Sequence, residues 1–331
     1  MSKGRVAIIG AGVSGLTCGI VLQERGYDVE LKADKDTGDT TSAVASAIWY
    51  PYHVGDEADE DAKAAKADVD KWARTSYRRL QSLIGLSDSG VSMIEFRFES
   101  RNYIPLPNWE VPRPRRLLQK DLAAGYRSGY AVDVPVMETP PYLRYLREWF
   151  GIDRIKSQVK VEQLGDVDPN FKVIVNCCGI DGPRFSKTDP SIMKPGRGVI
   201  VYGKSSLEYA FLDTDDEKEG KLTYIVPRRQ NGDCVFGGSD DLITNWNLDV
   251  TDKEKNAIIE RCRQIDPSLT TTEPRAGLRP LRAKGVRLGR EEIDGRTVIH
   301  NYGHGGAGLT LSWGCALDVA DLVDQAFGLR H

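Results

Sequence analysis

Apolar residues along this chain follow two rhythms, and the switching between them sets the expected architecture. Val6-Ala7-Ile8-Ile9 is an unbroken apolar run of strand length, the pattern of a strand covered on both faces. Beyond Gly10–Gly15 the apolar residues recur at helical spacing as far as Gly26, and Asp28–Ala33 returns to a strand. Residues 5–34 therefore predict a βαβ unit. Lys172–Cys178 reads as a further buried parallel strand that stops at Gly179. Val298–Tyr302 reads as another, running through the glycine-rich Gly303–Gly308 into a second helix. Helices are also expected over 58–70, 141–150 and 252–265, with strands and turns over 91–119 and 198–238.

The two glycine-rich turns carry the candidate chemistry. In Gly10-x-Gly12-x-x-Gly15 the glycines permit a tight turn, close approach of a pyrophosphate and close helix–strand packing. The helix N-terminus adds unpaired N–H groups and a positive pole for that anion. Asp34, at the end of the second strand, is placed to accept from ribose hydroxyls. This unit alone does not separate FAD from NAD. A second such turn near the other end of the sequence implies that both ends fold onto one long cofactor, which FAD satisfies better. Thr40-Thr41-Ser42 lies in a small, polar stretch that reads equally as a phosphate contact or as a solvated loop.

Composition narrows the setting. At 331 residues two domains are the default, and nucleotide-type segments alternate with mixed ones, so both should be discontinuous. The expected boundaries are 1–50, 140–190 and 280–331 for a cofactor domain, and 51–139 and 191–279 for a substrate domain. A net charge of −3 argues against a nucleic-acid or anionic-membrane partner, and Arg113-Pro-Arg115-Arg116 reads as surface charge. No apolar run is long enough to span a bilayer, and no signal segment precedes the first strand. The six cysteines show neither disulfide nor zinc spacing, and four histidines without an adjoining acidic pair give a metal little to bind. A reduced, cytoplasmic setting is expected.

The order and spacing of several further blocks resemble the D-amino acid oxidase family of FAD enzymes over essentially the whole length. The blocks are Thr40–Ala45 with Trp49-x-Pro51-Tyr52, Val173–Gly179, Pro195–Gly198 and Tyr224–Pro227. They continue with Gly277-Leu-Arg279-Pro280-x-Arg282, Val286-Arg287-Leu288 and His300–Gly306, and end at Ser312–Ala316. The resemblance implies an α/β, Rossmann-like FAD-binding domain of the glutathione-reductase type, joined to an α+β substrate domain with a large twisted mixed sheet. It implies that Arg279 clamps the substrate carboxylate, a task suited to a planar, permanently charged fork. Tyr224 would donate its hydroxyl to the same carboxylate, and the backbone carbonyl of Gly306 would receive the substrate amine.

By the same resemblance non-covalent FAD is held by Gly10, Gly12, Val13, Ser14 and Gly15 at the first turn. Asp34, Lys35, Thr40, Thr41, Ser42, Ala47 and Ile48 follow it. Val161, Cys178 and Gly179 come from the middle of the chain. Gly303, Gly305, Gly306, Ala307, Gly308, Leu309 and Thr310 form the second turn. Tyr50, Asp213 and Val226 are implied pocket residues. Tyr50 stands where the family usually has a glutamine, the segment before Tyr224 is short, and Asp240 replaces a tyrosine of yeast-type members. Asp213 aligns with an apolar pocket position, where a carboxylate would favour basic side chains; otherwise it opens an acidic surface run. Arg228 and Arg229 read as surface turn residues.

The implied reaction turns a D-amino acid, neutral or basic, and dioxygen into a 2-oxo acid, ammonia and hydrogen peroxide, by hydride transfer from Cα to flavin N5. A D-aspartate oxidase or another amine oxidase of this fold is the near alternative, and an NAD-dependent dehydrogenase or a non-catalytic flavin binder the distant one. A homodimer is the assembly expected if the chain self-associates.

Overall fold

The computed structural model describes residues 2–52, 54–109, 111–191, 193–218, 221–229, 232–239 and 246–329. Its strands are β1 (Arg5–Ile9), β2 (Asp28–Lys32), β3 (Val91–Ser100), β4 (Arg115–Arg116), β5 (Ser128–Met137), β6 (Ile155–Lys156) and β7 (Val173–Asn176). They continue with β8 (Lys194–Lys204), β9 (Ala210–Asp213), β10 (Lys221–Pro227), β11 (Cys234–Ser239), β12 (Thr270–Leu281), β13 (Arg287–Ile293) and β14 (Arg296–Tyr302).

Six strands form a first sheet in the order β13-β14-β7-β1-β2-β6, parallel except for the β13–β14 hairpin. Its centre is the apolar run read from the sequence: Val6, Ala7 and Ile8 are fully buried, since both faces are covered. The helices Val13–Glu24 and Gly308–Ala326 pack against one another, and a bond from Thr17 Oγ1 to the Ser312 carbonyl ties them at 3.3 Å. The helix Lys66–Ser82 also packs on Gly308–Ala326, with Ser76 Oγ accepting from the Gly314 N–H at 2.9 Å. It precedes β3 in sequence yet sides with the helices of the first sheet.

Eight strands form the second sheet, in the order β12-β8-β11-β10-β9-β3-β5-β4, mixed because β3 and β9 run parallel. Strand alternation gives it two distinct faces. Val199, Val201, Phe211, Ile225 and Phe236 pack behind it with Ile258, Ile259 and Cys262 of the helix Asp252–Arg263. Ile200, Leu212 and Val226 turn the other way, toward the first sheet. That helix begins in a capping box, in which Thr251 and Glu254 satisfy each other's backbone N–H groups.

The chain passes between the sheets after β7, in the segment that includes residues 177–191, and again between β12 and β13, through residues 282–286. Asp189 on the first passage receives a two-pronged contact from Arg282 on the second, with Nε to Oδ2 at 3.0 Å and Nη2 to Oδ1 at 3.1 Å. Tyr302, the last residue of β14, donates its hydroxyl to the same carboxylate at 2.7 Å.

Candidate active site

A continuous cavity of about 610 Å³ runs between the two sheets. At one end lies the turn after β1. Gly10 adopts φ +111, and a Cβ on it would strike the Cys177 carbonyl just past neighbouring β7, so only glycine lets the strand end turn here. Gly15 lies so close to the Gly10 carbonyl that the helix can enter the turn without a side chain between them. Gly12, Val13 and Ser14 line the cavity at the helix N-terminus, where the Val13 N–H donates to Ser42 Oγ at 3.1 Å. Asp34 and Lys35 lie on the exposed rim just beyond β2, and Val161, Cys178 and Gly179 close the adjoining wall. Burial pushes the Cys178 thiol well up, so it is an uncharged part of that wall.

The sequence stretch 37–46, read as a loop, folds into a short 3-10 turn and the helix Thr41–Val44. Thr40, Thr41, Ser42, Ala47 and Ile48 all border the cavity. Gly305, Gly306, Gly308, Leu309 and Thr310 bring the start of the last helix to its middle. Thr310 Oγ1 both donates to the Tyr50 carbonyl at 3.0 Å and accepts from the Tyr50 N–H at 3.1 Å. Two segments distant in sequence are thereby fixed to each other in the cavity lining.

At the far end the second sheet contributes side chains. Tyr224 and Arg279 lie on β10 and β12 and border the same space, with Leu212, Leu222, Val226, Ile200 and Phe96 as apolar walls. Burial pushes the Tyr224 hydroxyl's pKa up, against the opposing pull of the Arg279 guanidinium and a hydrogen bond with Ser46. It is therefore a proton donor at neutral pH. The Arg279 guanidinium lies flat along neighbouring β8, where a Cβ on Gly198 would come within 2.5 Å of its Nη2. Arg279 Nη2 donates to the Ser239 carbonyl at 3.3 Å, and the guanidinium stands 5.8 Å from the Tyr52 ring centroid. Tyr52 stacks at 6.1 Å on Tyr50, which also lines the cavity.

Asp213 lies elsewhere. Leu212 takes the cavity side of β9, so the next residue points to the opposite face. There the Asp213 carboxylate is 1% exposed, accepts from Tyr126 Oη at 2.6 Å, pairs with Arg101 at 2.8 Å and caps the turn that follows through the Asp215 and Asp216 N–H groups. It faces neither the pocket nor solvent. Gly303 and Ala307 also stay out of the cavity lining: Gly303 abuts Arg282 and Ala307 is fully buried in the core. Arg228 is not a surface residue. It is 5% exposed and donates to the Ala45 carbonyl at 3.2 Å. Asp240 lies outside the described residues.

Residues not singled out as site residues from the sequence also line this space: Phe96, Trp246, Leu248, Asn301 and His304. Trp246 and Leu248 are 60% and 53% exposed, large apolar groups on the rim that a pattern of polar loop residues hid. Asn301 Oδ1 and His304 Nε2 are buried with no hydrogen-bond partner among the described residues. Burial pulls the His304 pKa down to about 4, so the ring is neutral at working pH. Unpaired polar atoms in a wall of this kind, with a helix N-terminus at one end, fit an elongated polar heterocycle carrying a pyrophosphate.

A family model described as FAD dependent oxidoreductase matches residues 5–322. The chain belongs to that family, and its cofactor is FAD. A D-amino-acid oxidase of Rubrobacter xylanophilus is 37% identical over 97% of this chain and 96% of its own length. A human D-aspartate oxidase is 29% identical over 98% and 96%. Among solved structures, a glycine oxidase of Geobacillus kaustophilus aligns with a TM-score of 0.74 at 16% identity, over 97% of this chain and 95% of that one. That likeness carries the fold. No helix among the described residues is long and apolar enough to cross a membrane.

Proposed function

We propose that this chain catalyses the oxidative deamination of D-amino acids with neutral side chains: substrate, dioxygen and water yield a 2-oxo acid, ammonia and hydrogen peroxide. The observation that carries this reading is the meeting of Arg279 and Tyr224 at the inner end of the FAD cavity. A permanently charged fork beside a protonated phenol is a receptor for a carboxylate. Curated D-amino-acid oxidases with matching full-length sequences supply the stereochemistry and reaction class.

Bound FAD would accept the substrate's Cα hydride and pass the electrons to dioxygen. The chain would hold FAD with its pyrophosphate at Gly12–Ser14, its ribose toward Asp34 and its ring system between Ala47–Ile48 and Gly305–Thr310. Arg279 and Tyr224 would bind the substrate carboxylate, and the Gly306 carbonyl would accept from its amine. Two anchors and the apolar side-chain space together fix which face of Cα is presented, so orientation does most of the protein's work.

The side-chain space is bounded by Leu212, Leu222, Val226, Ile200 and Phe96. Among the described residues, the carboxylates lining the cavity are Asp34, Asp39 and Asp181, none of them on a strand of the second sheet. Asp213 was the basis for a basic substrate, and its position behind β9 leaves the neutral class. Six free thiols, all but one buried, support a reducing, cytoplasmic setting. The test is the flavin spectrum of the purified protein under anaerobic addition of D- and L-amino acids. Bleaching by neutral D-isomers with peroxide formed on admission of air is expected. A flavin unmoved by every D-isomer overturns the substrate assignment, and faster bleaching by D-Arg or D-Lys overturns the neutral class.

A further inference from the structure

We propose that Asp189 is a positioning residue that sets the spacing between the two halves of the substrate site, and that it does so through Arg282 and Tyr302. This rests on the D-amino acid reading above. The two substrate anchors belong to different sheets: Arg279 is on β12 and Gly306 follows β14. Arg282 is three residues beyond Arg279, and Tyr302 is four residues before Gly306. Both terminate on one carboxylate, at 3.0 and 3.1 Å from Arg282 and 2.7 Å from Tyr302. The strand carrying the carboxylate clamp and the strand leading to the amine acceptor are therefore referred to a single point.

That point is rigid for physical reasons. The Asp189 and Arg282 side chains are 2% and 7% exposed. Burial works against the charged carboxylate, but hydrogen bonds from Arg282, Ser191 and Tyr302 hold its pKa well below the ordinary range. The third edge of the guanidinium is used as well, Nη1 donating to the Gly285 carbonyl at 3.0 Å. The segment before Asp189 is held to the first sheet: Glu291 of β13 accepts from Ser186 Oγ, the Lys187 N–H and Thr188 Oγ1 at 2.7, 2.7 and 3.0 Å.

Gly303 belongs to this assembly and not to the cofactor wall. It adopts φ +81, and a Cβ there would stand 3.0 Å from Arg282 Cδ. Its glycine character leaves room for the arginine stem at the point where β14 turns toward Gly306. A direct backbone link between the two anchoring strands at this turn is the Gly305 N–H to Pro280 carbonyl bond of 3.1 Å. One backbone bond permits tilting; a buried fork with a phenol on the same carboxylate does not.

A substrate gripped at both ends is sensitive to that tilt. Displacing one anchor by a fraction of an ångström leaves each anchor intact but moves Cα away from its reactive alignment. The signature is a loss in kcat with ligand affinity at either anchor preserved.

The experiment compares wild-type holoenzyme with Tyr302→Phe, Arg282→Lys and Asp189→Asn. It reads kcat and KM on a neutral D-amino acid, the FAD dissociation constant, and the affinity for benzoate, a carboxylate with no amine, from its perturbation of the flavin spectrum. Asp189→Asn should lose kcat by about 10- to 100-fold and Tyr302→Phe by about 5-fold, with FAD and benzoate affinities within about 3-fold of wild type. Arg282→Lys keeps the charge but loses the fork, and should fall between them. Since Asp189→Asn unpairs a buried arginine and could fail to fold, Tyr302→Phe decides in that case. Unchanged kcat in soluble, FAD-loaded variants overturns the proposal, whatever their melting temperature. Parallel loss of kcat and benzoate affinity also overturns it, because the network would then act on Arg279 alone. A wild-type enzyme inert toward all D-amino acids removes the substrate reading and this inference with it, whereas an active wild type with indifferent variants removes only the inference.

Discussion

The molecule holds two buried clusters of the same three residue types. Asp189 binds Arg282 and Tyr302; Asp213 binds Arg101 and Tyr126. In both, a phenol donates to the carboxylate at 2.7 and 2.6 Å, and in both the tyrosine's pKa is pushed up, first by burial and then by that carboxylate. What differs is what they join. The Asp189 cluster gathers two passages between the sheets and the end of β14. The Asp213 cluster gathers β9, the start of the following turn and loops behind the second sheet, and Arg101 is 45% exposed where Arg282 is 7%. Identical chemistry therefore carries different duties according to the topology around it.

The largest separation between these regions is expected at the groups that each supports. Arg279→Gln should lower kcat/KM on a neutral D-amino acid by about 1000-fold, about 4 kcal/mol, because a charged partner of the substrate carboxylate is lost. Arg101→Gln should stay within about 2-fold in the same steady-state assay. A comparable loss in both would erase the distinction between the clusters.

Acid unfolding separates them next. Burial raises the Glu291 pKa, but Ser186, the Lys187 N–H, Thr188 and His300 overrule it and bring the carboxyl down to about 2. A folded pKa below the unfolded one contributes stability that is complete above about 4.5 and is lost as pH falls toward 2. Glu291→Gln should remove up to about 3 kcal/mol of that pH-dependent stability, read from denaturant midpoints between pH 2 and 5. An unchanged slope would show that the passage holding Asp189 is not pinned by this carboxylate.

The smallest effect is expected at the rear cluster. Asp213→Asn keeps an acceptor for Tyr126 and for the turn but loses the charge opposite a half-exposed arginine, and should cost about 1 kcal/mol in urea unfolding with kcat unmoved. If this variant instead shifted the substrate profile toward acidic side chains, Asp213 would be communicating with the pocket after all.

How much of this was legible differs between the two ends of the cavity. The cofactor end is built mostly from backbone, and backbone demands leave contiguous traces: Gly10 and Gly15 mark a turn that no other residue fits, and Asp34 stands at the end of the next strand. The family-matched Arg279 and Tyr224 border one space, and the fold class agrees with the family model. The substrate end is built from alternate residues of strands distant in sequence. There a one-residue change of register inverts a side chain's face, which is why Asp213 could be aligned with the pocket yet point behind β9. Arg228 follows a proline and reads as a turn, but the Ala45 carbonyl it meets belongs to a segment remote in sequence. The Asp189 cluster leaves no local trace, because its three members come from three separate passages of the chain.

The strand order of the first sheet also governs when this enzyme can exist during its synthesis. β14 sits between β13 and β7, and its turn supplies the last wall of the cavity, so a chain still attached to the ribosome before this segment emerges holds only part of the cofactor site. The first nucleotide turn is made early, while Gly305–Thr310 is made only after every strand of both sheets. A peroxide-forming centre encoded in this order stays unassembled until both sheets have been made.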